Sequence, residues 1–473
     1  MSEESKPKMD ESFRDSIATV TQKGDRIWIS PKKPSGKFYN ARTALSIILL
    51  ILLYGLPFVK INGNPLILLN ILERKLILFG IPFGPHDFHI FVIAMIIVII
   101  AIFLFTVVYG RIFCGWICPQ TVFMEMVYRK IEYLIEGDAN KQRVLNKKKW
   151  DSEKITKKTI KHTIFSLIAF VTGNTFLAYI IGVDELFKII TDPPSQHIAG
   201  LAAMIIFSGV FYFVFAFFRE QACIMVCPYG RLQGVMLDEN SVVISYDYLR
   251  GEPRGIQKKG VENDLGDCID CKQCVHVCPT GIDIRNGTQL ECVNCTACID
   301  ACDAVMDKVE KPRGLIRYAS KNEIEKGIRS LLNPRSIGYT VVLLLLFVVL
   351  GFMMTARSNF ELSILRTPGM MYQQYDSLHI SNLYDFVLTN KTFDEVPTQI
   401  ELKGIDGRIK IIGSDLIAKP QDVIEAKFMV IIKEDNIKQL NTPIHIIIKA
   451  GDQEIDNIKT SFLGRIEKFR KEK

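Results

Sequence analysis

Eight of the chain's twelve cysteines lie between Cys268 and Cys302, in two runs of one spacing. The first reads Cys268-x2-Cys271-x2-Cys274-x3-Cys278-Pro279, and the second reads Cys292-x2-Cys295-x2-Cys298-x3-Cys302. In the bacterial ferredoxin pattern, three closely spaced thiolates hold one [4Fe–4S] cube and the fourth reaches across to the other cube. The spacing therefore predicts one cluster on Cys268, Cys271, Cys274 and Cys302, and a second on Cys292, Cys295, Cys298 and Cys278. Pro279 and Gly281 turn the chain away once Cys278 is delivered, whereas Asp303 stands where the second run would carry proline. Two zinc sites or a disulfide framework fit less well, because zinc motifs pair a Cys-x2-Cys with a distant second pair. His276, between two of these cysteines, is expected to tune a cluster's hydrogen bonding rather than to ligate it.

The other four cysteines form a second repeat. Arg111-Ile-Phe-Cys114-Gly-Trp-Ile-Cys118-Pro119 follows one apolar stretch, and Arg219-Glu-Gln-Ala-Cys223-Ile-Met-Val-Cys227-Pro228 follows another. If each pair occupies a last helical turn, its i,i+4 spacing sets both sulfurs on one face and the proline then stops the helix. Two such ends brought together present four convergent thiols, a soft donor set suited to Cu(I), zinc or another iron–sulfur cluster. The plainer alternative is small buried residues packing at helix ends, as free cysteine often does. Repetition, and the use of every remaining cysteine, favours a site at Cys114, Cys118, Cys223 and Cys227. Met124, Met126 and Met225 lie nearby in sequence and are expected mainly to fill core space. His86 and His89 are expected at a membrane interface, and Asn174 is expected to donate a hydrogen bond between helices.

A membrane scaffold must position these residues. The chain has 473 residues, 48% of them hydrophobic, with a mean hydropathy of +0.19, which is high for a soluble protein. Five apolar segments approach the roughly 20 residues needed to cross a bilayer: Ala44–Val59, Phe88–Tyr109, Thr163–Val183, Ala199–Phe218 and Gly338–Thr355. Leu66–Ile81 is apolar as well, but Glu73-Arg74-Lys75 interrupts its centre, where each charge costs about 2.5–3.5 kcal/mol. That segment is expected outside the bilayer or at its surface. The formal charge of +7 does not indicate nucleic acid, since the basic residues collect beside apolar segments instead of forming an aromatic-interleaved patch. No cleavable signal peptide is expected, because the first 42 residues are hydrophilic.

Orientation follows from Lys/Arg bias. The loop from Gly110 to Lys161 holds twelve Lys/Arg, against one in Asp184–Ala199 and two in Ile61–Asp87, which sets the first of these on the cytoplasmic side. The N-terminus and the insert from Arg219 to Ile337 are then inside, and the C-terminus is outside. Cysteine placement agrees: all twelve fall on the reducing side and none follows residue 302. The expected organisation is a cytoplasmic arm over 1–42, four spans with their loops over 43–218, and a cytoplasmic insert over 219–337 with a ferredoxin core at about 260–305. A fifth span over 338–355 and an exported domain over 356–473 follow. In that last domain, Ser381–Thr389, Thr398–Leu402, Arg408–Ile412, Lys427–Lys433 and Ile444–Lys449 alternate apolar and polar residues or run β-branched. Asp406-Gly407, Lys419-Pro420 and Gly451-Asp452 separate them, which predicts a small antiparallel β-sandwich. Asn390-Lys391-Thr392 has the form of a glycosylation sequon, a match too short to carry weight.

Longer stretches resemble a known family. Cys114-Gly-Trp-Ile-Cys118-Pro119-Gln-Thr-Val-Phe-Met-Glu-Met, followed by Arg129-Lys-Ile-Glu-Tyr-Leu-Ile-Glu-Gly137-Asp138, resembles the signature of the CcoG family, also called FixG or RdxA. Tyr246-Asp247, Arg250-Gly251-Glu252-Pro253-Arg254 and Gly314-Leu-Ile-Arg-Tyr-Ala-Ser320 resemble it on either side of the ferredoxin stretch. Tyr372-Gln-Gln-Tyr and Asn382-Leu-Tyr384 resemble the start of its immunoglobulin-like C-terminal domain.

The resemblance implies a bacterial inner-membrane polyferredoxin that reduces Cu(II) to Cu(I) for assembly of cbb3-type cytochrome c oxidase. Copper would be handled at Cys114, Cys118, Cys223 and Cys227. The implied partners are oxidase subunits or assembly factors and an unidentified cytoplasmic electron donor, and a homodimer is compatible with this. NapH-type quinol dehydrogenases share the spans, thiol pairs and ferredoxin insert but lack the exported sandwich, so the chain fits them less well. Bound quinone would favour that activity. A non-catalytic scaffold or copper chaperone would instead tolerate loss of the clusters.

Overall fold

A computed structural model describes residues 19–465 apart from 22, 24, 71–74, 257–263, 328–333, 414–415 and 451–452. The chain forms two compact units, one of Met1–Val59 with Val92–Val349, the other of Lys60–Phe91 with Leu350–Lys473. Among the described residues, five helices are long and apolar enough to cross a membrane: Lys37–Phe58, Phe88–Tyr109, Ser152–Ile181, Ile198–Phe218 and Pro334–Thr355. These are the five segments expected, with polar extensions that hydropathy does not register. The first begins at Lys37 rather than Ala44. The third begins at Ser152 rather than Thr163, because the Asp151 carboxylate accepts the Lys154 N–H at 2.9 Å and caps it there. In the first unit the third and fourth spans meet where Gly173 faces Ser208, a small-residue contact that lets the backbones approach. Asn174 bonds the Phe170 carbonyl of its own helix at 2.9 Å and reaches Met204 of the fourth span at 3.8 Å. The first span joins this pair through Tyr54 to Thr172 and Tyr179 to the Leu53 carbonyl.

The ferredoxin insert hangs from a two-stranded neck. Val243–Tyr246 and Ile316–Ala319 pair antiparallel with Tyr246 opposite Ile316, so the stretches that bracket the cysteine runs in sequence close on each other in space. Ile244, Ile282, Ile284, Ile299, Met306 and Leu315 pack with Cys268, Cys274 and Cys298 into the insert's core.

In the second unit, the apolar run at 66–81 is a small meander rather than a span. Its strands Ile67–Asn70, Lys75–Leu78 and Ile81–Phe83 pair in order; Glu73 and Arg74 lie outside the described residues. The C-terminal domain is the expected sandwich. One sheet runs Gly407–Ile412, Val423–Lys433, His379–Asn390, Phe360–Arg366, and the other Ile417–Ala418, Val396–Lys403, Asn441–Ala450, Gln453–Leu463. Tyr384, Phe386, Leu388, Phe428, Ile446 and Phe462 interlock between them, all at 1% exposure or less. The alternation expected at five segments corresponds to five of these strands; Phe360–Arg366, which alternates as well, and Gln453–Leu463, whose pattern is diluted by polar residues, are additional. Gly451 and Asp452 lie outside the described residues. Asn390 of the sequon is buried and donates to the carbonyls of Asp394, Ala418 and Lys419, a loop-fixing role. At the head of the second span Asp87, 2% exposed, pairs with Arg357 at 3.0 Å and Lys391 at 2.8 Å. Burial alone would push its carboxyl up, but those two cations hold it below the usual range.

Candidate metal centres

The eight ferredoxin cysteines divide between two adjoining cavities. Cys268, Cys271, Cys274 and Cys302 border one of about 340 Å³. Cys278, Cys292, Cys295 and Cys298 border the other, of about 330 Å³, and Cys274 touches it as well. Each set is three sulfurs from one run and one from the other, the crossed division its spacing implies. The loops have a matching backbone: Asp270 and Lys272 on either side of Cys271, and Asn294 and Thr296 on either side of Cys295, all have positive φ. Such non-glycine residues cost roughly 1–3 kcal/mol each. The conformation turns successive N–H groups into a concave nest that suits an anionic cluster. Donor chemistry, cavity and backbone therefore fit two [4Fe–4S] groups. Burial pushes the thiols of Cys274, Cys292 and Cys302 up to about 12, so a bound cation is what makes them thiolates.

Asp303 is explained by the same geometry. Cys302 lies inside the helix Ala297–Lys308, where proline would break the ladder, and the Asp303 carboxylate accepts the Gly314 N–H at 2.9 Å. The His276 side chain is exposed, and it is the backbone carbonyl of that residue that accepts a bond, from the Lys32 N–H.

The Cys-x3-Cys-Pro pairs lie differently from the expectation. Cys114 is in a short helix, Ile112–Trp116, after the second span, and Cys118 caps a new helix opened by Pro119. Cys223 lies in a wide-turned π segment, Ala222–Val226, and Cys227 caps the helix Pro228–Met236. Each pair thus straddles a helix break instead of sharing one helical face. The reason is local: the residue before proline is pushed out of the α region, and proline's fixed φ suits a first helical position. Both prolines start helices rather than stop them.

The two motifs nevertheless come together. Gln120, two residues past Cys118, donates to the Arg219 carbonyl at 3.2 Å. Burial pushes Cys114 up to about 11, with Cys118 and Cys227 adding to it. It pushes Cys223 up to about 12, with Cys118, Cys114 and Cys227 contributing. The four sulfurs therefore share one electrostatic neighbourhood. Among the described residues, no three His, Cys, Asp or Glu side chains are grouped as ligands of a single ion, and this holds for the ferredoxin cysteines too, whose sulfurs surround a cavity. Met124 is core filling, packed with Phe123, Tyr128, Phe165 and Phe215. Met126 is buried and Met225 exposed. His89 is exposed, and the His86 side chain lies outside the described residues.

Sequence reasoning missed what joins this site to the ferredoxin insert. Arg42 of the first span, 4% exposed, donates to the carbonyls of Gly115 at 2.9 Å and Cys295 at 2.8 Å. A Cβ on Gly115 would stand 2.4 Å from the Asn294 oxygen and 2.6 Å from that of Val293. Cys114 packs on Val277, Val293, Cys295 and Ala297. The Trp116 indole donates to Tyr318, which reaches the Asn294 carbonyl. Arg111 adds bonds to the carbonyls of Leu290 and Gly230. A buried ion network also braces the motifs: Glu132 pairs with Arg219 and Lys161, Glu125 with Arg129, and Glu220 with Arg26. Burial would raise the Glu132 carboxyl, but Arg219 and Lys161 outweigh it and hold it at about 2. Removing one such partner costs roughly 3–5 kcal/mol.

Comparison with known proteins covers most of the chain. Residues 218–321 match the 4Fe-4S dicluster domain, residues 91–140 a 4Fe-4S binding domain, and residues 350–465 the IG-like fold at the C-terminus of FixG. Protein RdxB of Cereibacter sphaeroides is 35% identical over 391 residues, 79% of this chain and 81% of that protein. Protein RdxA of the same organism is 33% identical over 404 residues, covering 82% and 85%. The nitrogen fixation protein FixG of Rhizobium meliloti is 35% identical over 303 residues, 62% of this chain and 57% of that one. A solved structure of a FixG-related protein from Vibrio parahaemolyticus matches 23% of this chain and all of that one, at 17% identity and a TM-score of 0.20.

Proposed function

The chain belongs to the FixG and RdxA family of membrane iron–sulfur electron-transfer proteins, and from that premise we propose that it reduces Cu(II) to Cu(I) at the thiols of Cys114, Cys118, Cys223 and Cys227. The Cu(I) would serve assembly of a cbb3-type cytochrome c oxidase. One observation carries the reading: Gly115 and Cys114 lie against Val293, Asn294 and Cys295, the loop that supplies the second cluster's ligands. The bound clusters supply one-electron transfer. Cys271 is exposed, so the cavity it borders is the one open to a donor, and the cavity of Cys292, Cys295 and Cys298 is the one against the thiols. Each Cu(II) takes one electron, ultimately from a low-potential cytoplasmic carrier of the flavin or ferredoxin class. Soft sulfur donors favour the reduced ion.

In this reading the ferredoxin insert faces the cytoplasm, in support of which all twelve cysteines precede residue 303. The test is anaerobic Cu(II) reduction by the purified full chain. Replacing Cys118 and Cys227 together by serine should leave iron at about eight per chain, as two four-iron cubes require, while Cu(II) reduction and Cu(I) binding collapse. Parental reduction by the double variant would refute the thiol site. A second reading has its own support: the 4Fe-4S profile over residues 91–140 includes Cys114 and Cys118, and no single-ion grouping occurs among the described residues. The four thiols would then hold a further iron–sulfur cluster, and iron would rise to about twelve per chain, three cubes of four.

A further inference from the structure

We infer that Gln233 is a positioning residue of the four-thiol centre, aiming an amide N–H at the Cys114 sulfur so that the thiolate of this ligand is stabilised by a hydrogen bond. The inference rests on the thiol-site reading and deepens it. Gln233 lies in the helix Pro228–Met236 and is completely buried. Its amide lies against Cys114 Sγ across 119 residues of sequence, Nε2 at 3.4 Å and Oε1 at 3.6 Å, so a neutral thiol can donate to the oxygen whereas a thiolate can only accept from the nitrogen. A buried amide aimed at sulfur is an unusual choice, because a neutral thiol accepts weakly and burying an amide without a good partner is costly. The same contact made to a thiolate is charge-assisted.

A chain reaching into the second span favours the N–H direction. The Thr106 hydroxyl, 0% exposed, lies 2.7 Å from the Ile102 carbonyl, which carries no hydrogen, so Thr106 donates there. At its 2.7 Å contact with Tyr229 it therefore accepts, and the one phenolic hydrogen of Tyr229 is used. Gln233 also acts on Tyr229 as a hydrogen-bonding neighbour, and with its hydrogen committed Tyr229 can only accept, which favours the NH2 end of the amide there. Once Cys114 is a metal-bound thiolate it has no hydrogen to give the amide oxygen, and the amide nitrogen is the atom that can bond the sulfur. The four thiols are consequently unequal. Cys114 receives this bond and is also the sulfur packed on the second cluster's loop, which makes it the ligand through which an electron would enter.

The test uses full-length protein under anaerobic conditions, with Cu(I) as the probe in competition with a Cu(I)-selective chelator. Gln233→Leu keeps the bulk but removes both N–H groups and adds no sulfur donor. It should weaken Cu(I) binding about 10- to 100-fold, the usual effect of losing a partner of a metal ligand, while iron content and the ferredoxin clusters' electron paramagnetic resonance stay parental. Tyr229→Phe, which frees the amide to rotate, should give a smaller loss in the same direction, and it decides the matter should Gln233→Leu fail to fold. Parental Cu(I) affinity in these variants overturns the role of Gln233 while leaving the copper site standing. If the parental chain binds no Cu(I) and carries about twelve irons, the copper reading fails separately. The readout is then the midpoint potential of the additional cluster, which should fall when a hydrogen bond to sulfur is lost; an unchanged potential overturns the inference. Neither copper nor additional iron at the thiols would overturn it as well.

Discussion

Cys278 closes the first cysteine run in sequence but in space stands with the second, bordering the same cavity as Cys292, Cys295 and Cys298. That separation gives a sharp expectation. Cys278→Ser should remove or destabilise the cluster of the second set and spare the one on Cys268, Cys271, Cys274 and Cys302, read as selective loss of one of two paramagnetic signals in the reduced protein; loss of the other signal would refute the crossed division. The division is legible in the sequence because ferredoxin ligands are set by spacing along the chain. The residues that connect the two kinds of centre are not. Arg42 and Cys295 are 253 positions apart, and Gln233 and Cys114 are 119 apart; neither pair has a period or motif, since a buried hydrogen bond is specified by three-dimensional packing and not by spacing. The signal that was available was weak: arginine and glutamine inside or beside apolar segments, where an unpaired polar group is expensive.

At the scale of elements, the thiol pairs show how a correct motif can carry a wrong local geometry. Their four-residue spacing suggests a shared helical face, but the proline after each pair belongs to the next helix, and the second cysteine becomes its cap. The sulfurs are brought together by tertiary ties, Gln120 to the Arg219 carbonyl and the ion pairs of Glu132 and Glu220. Wide π turns at Val122–Tyr128, Val214–Phe218 and Ala222–Val226 surround them. Such turns shift side chains off the ordinary helical register and concentrate at functional sites. Gly115 is the element-level lever. Its absent side chain lets the short helix touch the loop of Val293 and Asn294, and both blocking atoms are backbone oxygens that cannot swing aside. Gly115→Ala should therefore force the helix and loop apart while removing no sulfur. We expect parental iron and copper contents, but slower passage of electrons from dithionite-reduced clusters to bound Cu(II), seen as a reduced rate in stopped-flow absorbance. An unchanged rate would remove this contact from the electron path.

For the whole molecule, five spans, a ferredoxin insert and a C-terminal sandwich were all legible from hydropathy, cysteine spacing and alternation, because each depends on a periodic pattern. What stayed hidden were the polar extensions of the spans and two outer strands of the sandwich, Phe360–Arg366 and Gln453–Leu463, the second of them diluted by polar residues. Sidedness is the remaining property of the whole chain that follows from composition. Twelve Lys/Arg between Gly110 and Lys161, against one and two in the loops assigned to the opposite face, strongly bias insertion. The cysteine-free C-terminal unit suits an oxidising compartment, whereas exposed thiols such as Cys271 do not. If the five helices found among the described residues all cross and no other segment does, the two termini lie on opposite sides. A reporter active only after export should accordingly be active when fused after Lys473 and silent when fused after Lys321. The two fusions bracket the last span, Pro334–Thr355, so equal signals would mean that this helix, with no residue of its apolar window buried, does not cross. The reverse pattern would place the iron–sulfur insert in the oxidising compartment and remove the compartment argument for both metal centres.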